Sequence, residues 1–127
     1  MQIRLTSIFV NNQDHALQFY TEVLGFVKKH EIPMGEFKWL TVVSAEGSPD
    51  IELLLEPDQN PAAKTYQQAL FEQGIPATAF YVSDIVSQFA RLKDLGVRFI
   101  TAPTQAGPAQ VAIFDDTCGN LIQLYQV

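Results

Sequence analysis

The sequence predicts an α+β domain made of two copies of one βαβββ unit, and three observations predict it. Strand-like and helix-like apolar spacings follow one another in the same order in each half of the chain. Landmarks recur at a nearly constant interval: Val10 with Val82 at an offset of 72, and Leu24-Gly25 with Leu95-Gly96 at 71. Ile51-Glu52-Leu53 and Ile122-Gln123-Leu124 repeat the offset of 71, so only one residue of slippage accumulates across the unit. Finally, 127 residues with 47% hydrophobic and 17% charged side chains suffice for one core and fit neither disorder nor a disulfide scaffold. The expected organisation is one domain over 1–127, with a first module at about 1–56, a connecting helix at about 60–73 and a second module at about 77–127.

Each element has its own local reason. Arg4 to Val10 is rich in β-compatible residues and is closed by Asn11-Asn12-Gln13, a strand leading into a turn. Asp14 serves as helix N-cap or first-turn acid, since a carboxylate there accepts from the free amides of the opening turn. Ala16, Phe19, Tyr20 and Val23 share one side of the helix that follows, and Gly25 ends it. Strands are expected at Val27 to Ile32, Phe37 to Ser44 and Ile51 to Glu56, separated by Pro33-Met34-Gly35 and by the polar run Ala45 to Asp50. Helix formers from Ala62 to Gln73, ending at Gly74, give the connecting helix. The order then repeats: a strand over Ala77 to Val82, a Ser83-Asp84 cap, and a helix with Ile85, Phe89 and Leu92 at helical spacing, closed by Leu95-Gly96. The last strands are placed at Arg98 to Thr101, Gln110 to Asp115 and Asn120 to Tyr125, with turns at Ala102 to Pro108 and Asp115 to Gly119.

Composition narrows the function. The net charge of −6, with only eight scattered Lys and Arg, lacks the basic footprint that a phosphate backbone requires, so nucleic acid is excluded as a partner. No apolar run reaches the roughly 18 to 20 residues that span a bilayer, and the opening Met-Gln-Ile-Arg-Leu-Thr-Ser is unlike a signal peptide, so the expectation is a cytoplasmic protein without a membrane partner. The single cysteine, Cys118, allows neither an intramolecular disulfide nor a thiolate-rich zinc site. The seven glycines stand singly, so no phosphate-cradling loop is formed and nucleotide chemistry is unsupported.

The motifs carry a resemblance. Phe9-Val10-Asn11-Asn12 followed by Ala16-Leu17-Gln18-Phe19-Tyr20-Thr21-Glu22-Val23-Leu24-Gly25-Phe26 resembles the opening V-x-D … A-x-x-F-Y-x-x-x-L-G-F of the vicinal oxygen chelate superfamily, which unites glyoxalases, bleomycin resistance proteins and extradiol dioxygenases. Ala79-Phe80-Tyr81-Val82-Ser83-Asp84 and Phe114-Asp115-Asp116-Thr117-Cys118-Gly119-Asn120-Leu121-Ile122-Gln123-Leu124 are similar to its second half and its closing F-x-D-P-D-G-N-x-I-E-L. The resemblance implies tandem βαβββ modules forming a cupped mixed sheet around a small-molecule cavity, usually completed as a homodimer.

It also implies four positions for the ligands of a divalent ion in metal-dependent members: Leu5 and Ala77 on the first strand of each module, Glu52 and Gln123 on the last. Leu and Ala supply no lone pairs, and one carboxylate with one neutral amide makes a weak site for a hard cation, so no metal and no cofactor are expected. The dioxygenase reading needs two histidines and a carboxylate, whereas His15 and His30 are expected to lie away from these positions in surface or structural roles.

The expected function is therefore metal-independent binding of a cationic or neutral small molecule. Glu52 and Gln123 would be its polar contacts, Trp39, Phe37 and Phe114 its aromatic wall, with Leu5 and Ala77 at the vacated ligand positions. Glu52 is also the candidate catalytic residue of an alternative reading, a lyase or isomerase of glyoxalase type with a non-standard ligand set, and a structural or partner-binding module is a further alternative. Glu56 and Asp58 are expected to add acidity to the rim of the site. Cys118 has no neighbouring base in the sequence to activate it as a nucleophile.

Overall fold

A computed structural model describes residues 1–127, which divide into two compact units, Met1–Thr65 and Tyr66–Val127. The first unit contains β1 (Leu5–Val10), α1 (Gln13–Gln18), β2 (Val27–Met34), β3 (Phe37–Val43) and β4 (Glu52–Pro57). The helix α2 (Pro61–Glu72) crosses the division. The second unit continues with β5 (Thr78–Tyr81), α3 (Ile85–Asp94), β6 (Phe99–Ala106), β7 (Ala109–Asp115) and β8 (Leu121–Gln126). Each unit holds one four-stranded sheet, ordered β1-β4-β3-β2 in the first and β5-β8-β7-β6 in the second, so the repeat is one of topology as well as of sequence. In both, the first strand runs parallel to the last and the other pairings are antiparallel.

The first sheet buries one face under α1. Ile8, Val10, Leu40, Val42, Leu53 and Leu55, with Ala16, Phe19 and Tyr20 from the helix, form its core. Asn12 caps α1, its side chain accepting from the His15 amide at 2.9 Å, and Asp14 lies in the first turn as its acid. The helix then widens into a π-helical turn over Phe19–Val23, where the Leu24 amide reaches back to the Phe19 carbonyl. Direct pairing of β3 with β4 is confined to Thr41 with Leu54 and Val42 with Leu53. Beyond it the strands part, and Gln13 fills the gap: its amide donates to the Lys38 and Leu55 carbonyls at 2.8 and 2.9 Å and accepts from the Lys38 N–H at 3.0 Å.

The second sheet packs Ala112, Phe114, Ile122 and Leu124 on the face that α3 covers with Ile85 and Leu92. Asp84 caps α3 by accepting from the Ser87 amide, as the sequence predicts. The closing motif folds around a buried carboxylate. Asp116 Oδ1 accepts from the amides of Cys118 and Asn120, and Oδ2 from the Asn120 side chain. Gln67 of α2 then donates to the Cys118 carbonyl and to Asn120 Oδ1. Only a glycine fits at 119, where φ is +100° and an added Cβ would stand 2.7 Å from Gln67 Nε2.

Two expectations about strands are corrected. The stretch Ala102 to Ala106, read as a turn, continues β6, because Thr104, Gln105 and Ala106 pair with Val111, Gln110 and Ala109. Pro103 is accommodated where the register shifts between Thr101 and Thr104, a position that asks for no ladder donor. Similarly β2 runs on to Met34, with the hairpin turn at Gly35-Glu36. Gly35 and Gly107 both take positive φ at the first position of a two-residue loop, the requirement of a II′ turn.

Candidate functional site

The face of the first sheet opposite α1 carries the candidate site. Register places Thr41 opposite His30, Trp39 opposite Ile32 and Phe37 opposite Met34, and cross-strand partners share a face. Lys38 and Glu31 take the other face, where Lys38 pairs with Asp14 of α1 and with Glu31, and Glu31 also pairs with Lys28. Leu5 is the cross-strand partner of Glu52, so these two of the four positions adjoin each other.

Glu52 is the centre of a polar cluster. Its Oε1 accepts from the Thr41 hydroxyl at 2.8 Å and meets His30 Nδ1 at 2.8 Å, while Lys29 Nζ stands 3.9 Å from Oε2. Thr41, fully buried, also accepts the His30 backbone N–H at 3.2 Å, which fixes the ring's strand against the carboxylate's neighbour. The Thr41 hydroxyl first, and the His30 imidazole second, hold the Glu52 carboxyl below its ordinary value against the opposing effect of desolvation. Glu52 is thus an ionised, doubly hydrogen-bonded carboxylate.

His30 is therefore not remote from Glu52, contrary to the expectation, and the reason is a β-bulge. Val27 pairs with Val43 and Lys28 with Val42, after which the register slips and His30 pairs with Thr41. Strict alternation from Val27 would send His30 to the α1 face; the extra residue, Lys29, restores it to the face of Glu52. Lys29 and His30, adjacent in sequence, consequently both reach the same carboxylate.

On the corresponding face of the second sheet an amide, Gln123, takes the place of the Glu52 carboxylate. Gln123 pairs with Ala79 in β5 and with Ile113 in β7. Ala77, whose amide donates to the Leu121 carbonyl, stands two residues before Ala79 and is exposed. Tyr81 and Tyr125 meet edge to face at 5.7 Å along the same strands.

Phe114 does not join either face. It is fully buried on the α3 side, 5.6 Å from the ring of Phe99, which in turn packs 4.7 Å from Phe89 of α3. Its parity with Ile122 in the register decides this, and it acts in packing. Asp58 is likewise no rim acid: it is 3% exposed, its amide donates to the Val10 carbonyl, and its Oδ1 finds no hydrogen-bond partner. Burial, reinforced by the Asp116 carboxylate, pushes the Cys118 thiol far up, which makes it a poor nucleophile.

The donor set does not fit the divalent ion of metal-dependent relatives. Leu5 and Ala77 offer no donor atom, Gln123 a neutral amide, and the Glu52 oxygen nearest His30 is already committed to two donors. No three His, Cys, Asp or Glu side chains come together as a ligand group.

Comparison with known proteins agrees with the topology. The chain is 56% identical over 126 residues to the uncharacterized protein YurT of Bacillus subtilis (strain 168), covering 99% of each. Among solved structures it is similar to UcmS2, with a TM-score of 0.85 and 27% identity over 100% of this chain and 98% of that one. It is also similar to TnmS3, an antibiotic binding protein from Streptomyces sp. CB03234, with a TM-score of 0.78 and 26% identity over 99% of this chain and 95% of the other. The family model described as Glyoxalase/Bleomycin resistance protein/Dioxygenase superfamily matches residues 2–124, and the chain belongs to that superfamily.

Proposed function

We propose that this protein binds a small, largely apolar molecule without a metal ion, on the face of the first sheet opposite α1. The observation that carries the reading is the juxtaposition on that face of two aromatic side chains, Phe37 and Trp39, with the ionised carboxylate of Glu52 held by Thr41 and His30. Such a surface supplies apolar contact area together with a few fixed polar groups, the composition that orients a small ligand. Leu5, half exposed beside Glu52, extends the apolar part. Gln123, with Ala77 and Ala79 leaving space along β5, offers a second contact surface on the other sheet, with a neutral amide as its polar group. The negative net charge and the Glu52 carboxylate favour a cationic or neutral ligand over an anionic one. The likeness to TnmS3, itself an antibiotic binding protein, supports sequestration rather than turnover. We further propose a cytoplasmic homodimer of single-domain chains.

A second reading, a lyase or isomerase, has one observation in its favour: a carboxylate and an imidazole in hydrogen-bond contact are the elements of a proton-transfer pair. The two readings separate in one experiment. Chelator-treated protein is screened by thermal denaturation against apolar aromatic compounds, and each stabilising compound is then followed for chemical change. A ligand that binds only the native state at a hundredfold excess over its Kd adds about 2.7 kcal/mol of stability, about 11 °C in Tm for a chain of this length. Stabilisation with the compound recovered intact supports binding. Conversion of the compound, or stabilisation that appears only with added divalent ion, would overturn the reading.

A further inference from the structure

The hydrogen bonds around His30 specify which of its nitrogens is left for a ligand. An ionised carboxylate only accepts, so the 2.8 Å contact between His30 Nδ1 and Glu52 Oε1 places the proton on Nδ1. Thr41 reinforces this arrangement. It gives its one hydroxyl hydrogen to the same carboxylate oxygen, takes the His30 backbone N–H, and lies 3.3 Å from Nδ1 as a further acceptor. In the neutral imidazole Nε2 is then a lone-pair acceptor, and no protein group bonds to it. The ring remains reachable, with its side chain 42% exposed against 20% for Glu52. On the same face the next residue along β2, Ile32, pairs with Trp39, so an apolar pair lies beside His30 along the strands. The arrangement is the one in which a carboxylate orients an imidazole and fixes its tautomer for work at the opposite nitrogen.

We infer that His30 is the ligand-facing hydrogen-bond acceptor of this face, its Nε2 offered to an O–H or N–H group on an otherwise apolar small molecule, with Glu52 and Thr41 as its positioning residues. This deepens the proposed function and rests on it. The class of ligand follows from the chemistry: an apolar body against Trp39 and Ile32, and one donor group directed at the imidazole.

The test uses two probes, indole and 1-methylindole, in which a methyl group replaces that donor hydrogen, titrated into chelator-treated protein labelled with nitrogen-15. Amide shifts in β2 and β3 and the Trp39 indole resonance report binding, and the long-range proton–nitrogen spectrum of the free protein reports the His30 tautomer. The expected results are a proton on Nδ1 and a bare Nε2, with indole bound about three- to tenfold tighter than 1-methylindole, the worth of one ordinary hydrogen bond. In His30→Asn, which keeps a donor near the Nδ1 position and has nothing at Nε2, that preference disappears and the two probes bind alike. A proton on Nε2, equal binding of the two probes to the unmodified protein, or an unchanged preference in His30→Asn overturns the inference and leaves the proposed function standing. If neither probe shifts β2 or β3 at millimolar concentration, small-molecule binding by this face fails, and the role of His30 fails with it.

Discussion

Gln13→Ala is expected to destabilise the protein by about 2–4 kcal/mol, chiefly through lost hydrogen bonds rather than lost apolar packing. The residue lies in the first turn of α1, and its side chain makes three bonds to the backbone at the point where β3 and β4 part. Truncation leaves the Lys38 N–H and two carbonyls without partners. A buried group so orphaned costs about 1–3 kcal/mol, and water admitted at Lys38 offsets part of the total. For a chain of 127 residues about 4 °C of Tm accompanies each kcal/mol, so a fall of about 8–16 °C is expected. Urea denaturation gives the free energy, and Gln13→Leu provides the control, since it keeps apolar bulk and loses the same bonds. The functional consequence follows because β3 and β4 carry Thr41 and Glu52: loosening this junction should weaken ligand binding as well. A loss below about 1 kcal/mol in both variants would refute the claim that Gln13 substitutes for the missing ladder.

Three other outcomes are expected. Glu52 has a folded pKa below its ordinary 4.5, so its contribution is fully present above that pH and is lost as pH falls through the depressed value; Glu52→Gln should be less stable than the unmodified protein at pH 6, with the difference shrinking below pH about 4.5 in urea titrations. Gly119→Ala should cost about 2–4 kcal/mol by denaturation, combining the strain of positive φ with displacement of the Gln67 amide from the Cys118 carbonyl and Asn120. Cys118, fully buried and with its thiol pushed up, should react with a thiol reagent at pH 8 at least about a hundredfold more slowly in the native protein than in guanidinium, and rapid native labelling would contradict its placement.

Repeats, caps and turns are local signals, and through them the sequence disclosed the two βαβββ units, down to Asp84 as the cap of α3. Facing is a matter of register, and there local reading stopped short. In β7 apolar residues occupy both parities, so only pairing with β8 shows that Phe114 turns to α3 while Ile113 adjoins Gln123. Pro103 reads as a breaker until the register shift beside it is seen. The π-helical turn at Phe19–Val23 leaves no mark on the spacing of Phe19, Tyr20 and Val23. For the site, Glu52 was legible as a carboxylate in an apolar strand, but its partners were not, because the bulge at Lys29 reverses the side on which His30 emerges. One signal was available: counting back from a two-residue turn at Gly35-Glu36 pairs His30 with Thr41 directly. Asp58 follows an acidic strand end and so reads as rim, yet the amide bond to Val10 draws it inward.

The central claim, ligand binding on the face of Glu52 and Trp39 without a metal, is tested most directly by measuring the Kd of the best stabilising compound on chelator-treated protein, with Glu52→Ala and Trp39→Ala alongside. The account predicts saturable binding by the metal-free protein, weakened about tenfold or more in each variant, as loss of about 1.4 kcal/mol of contact requires. Binding that needs a stoichiometric divalent ion, or that is indifferent to both substitutions, would contradict it.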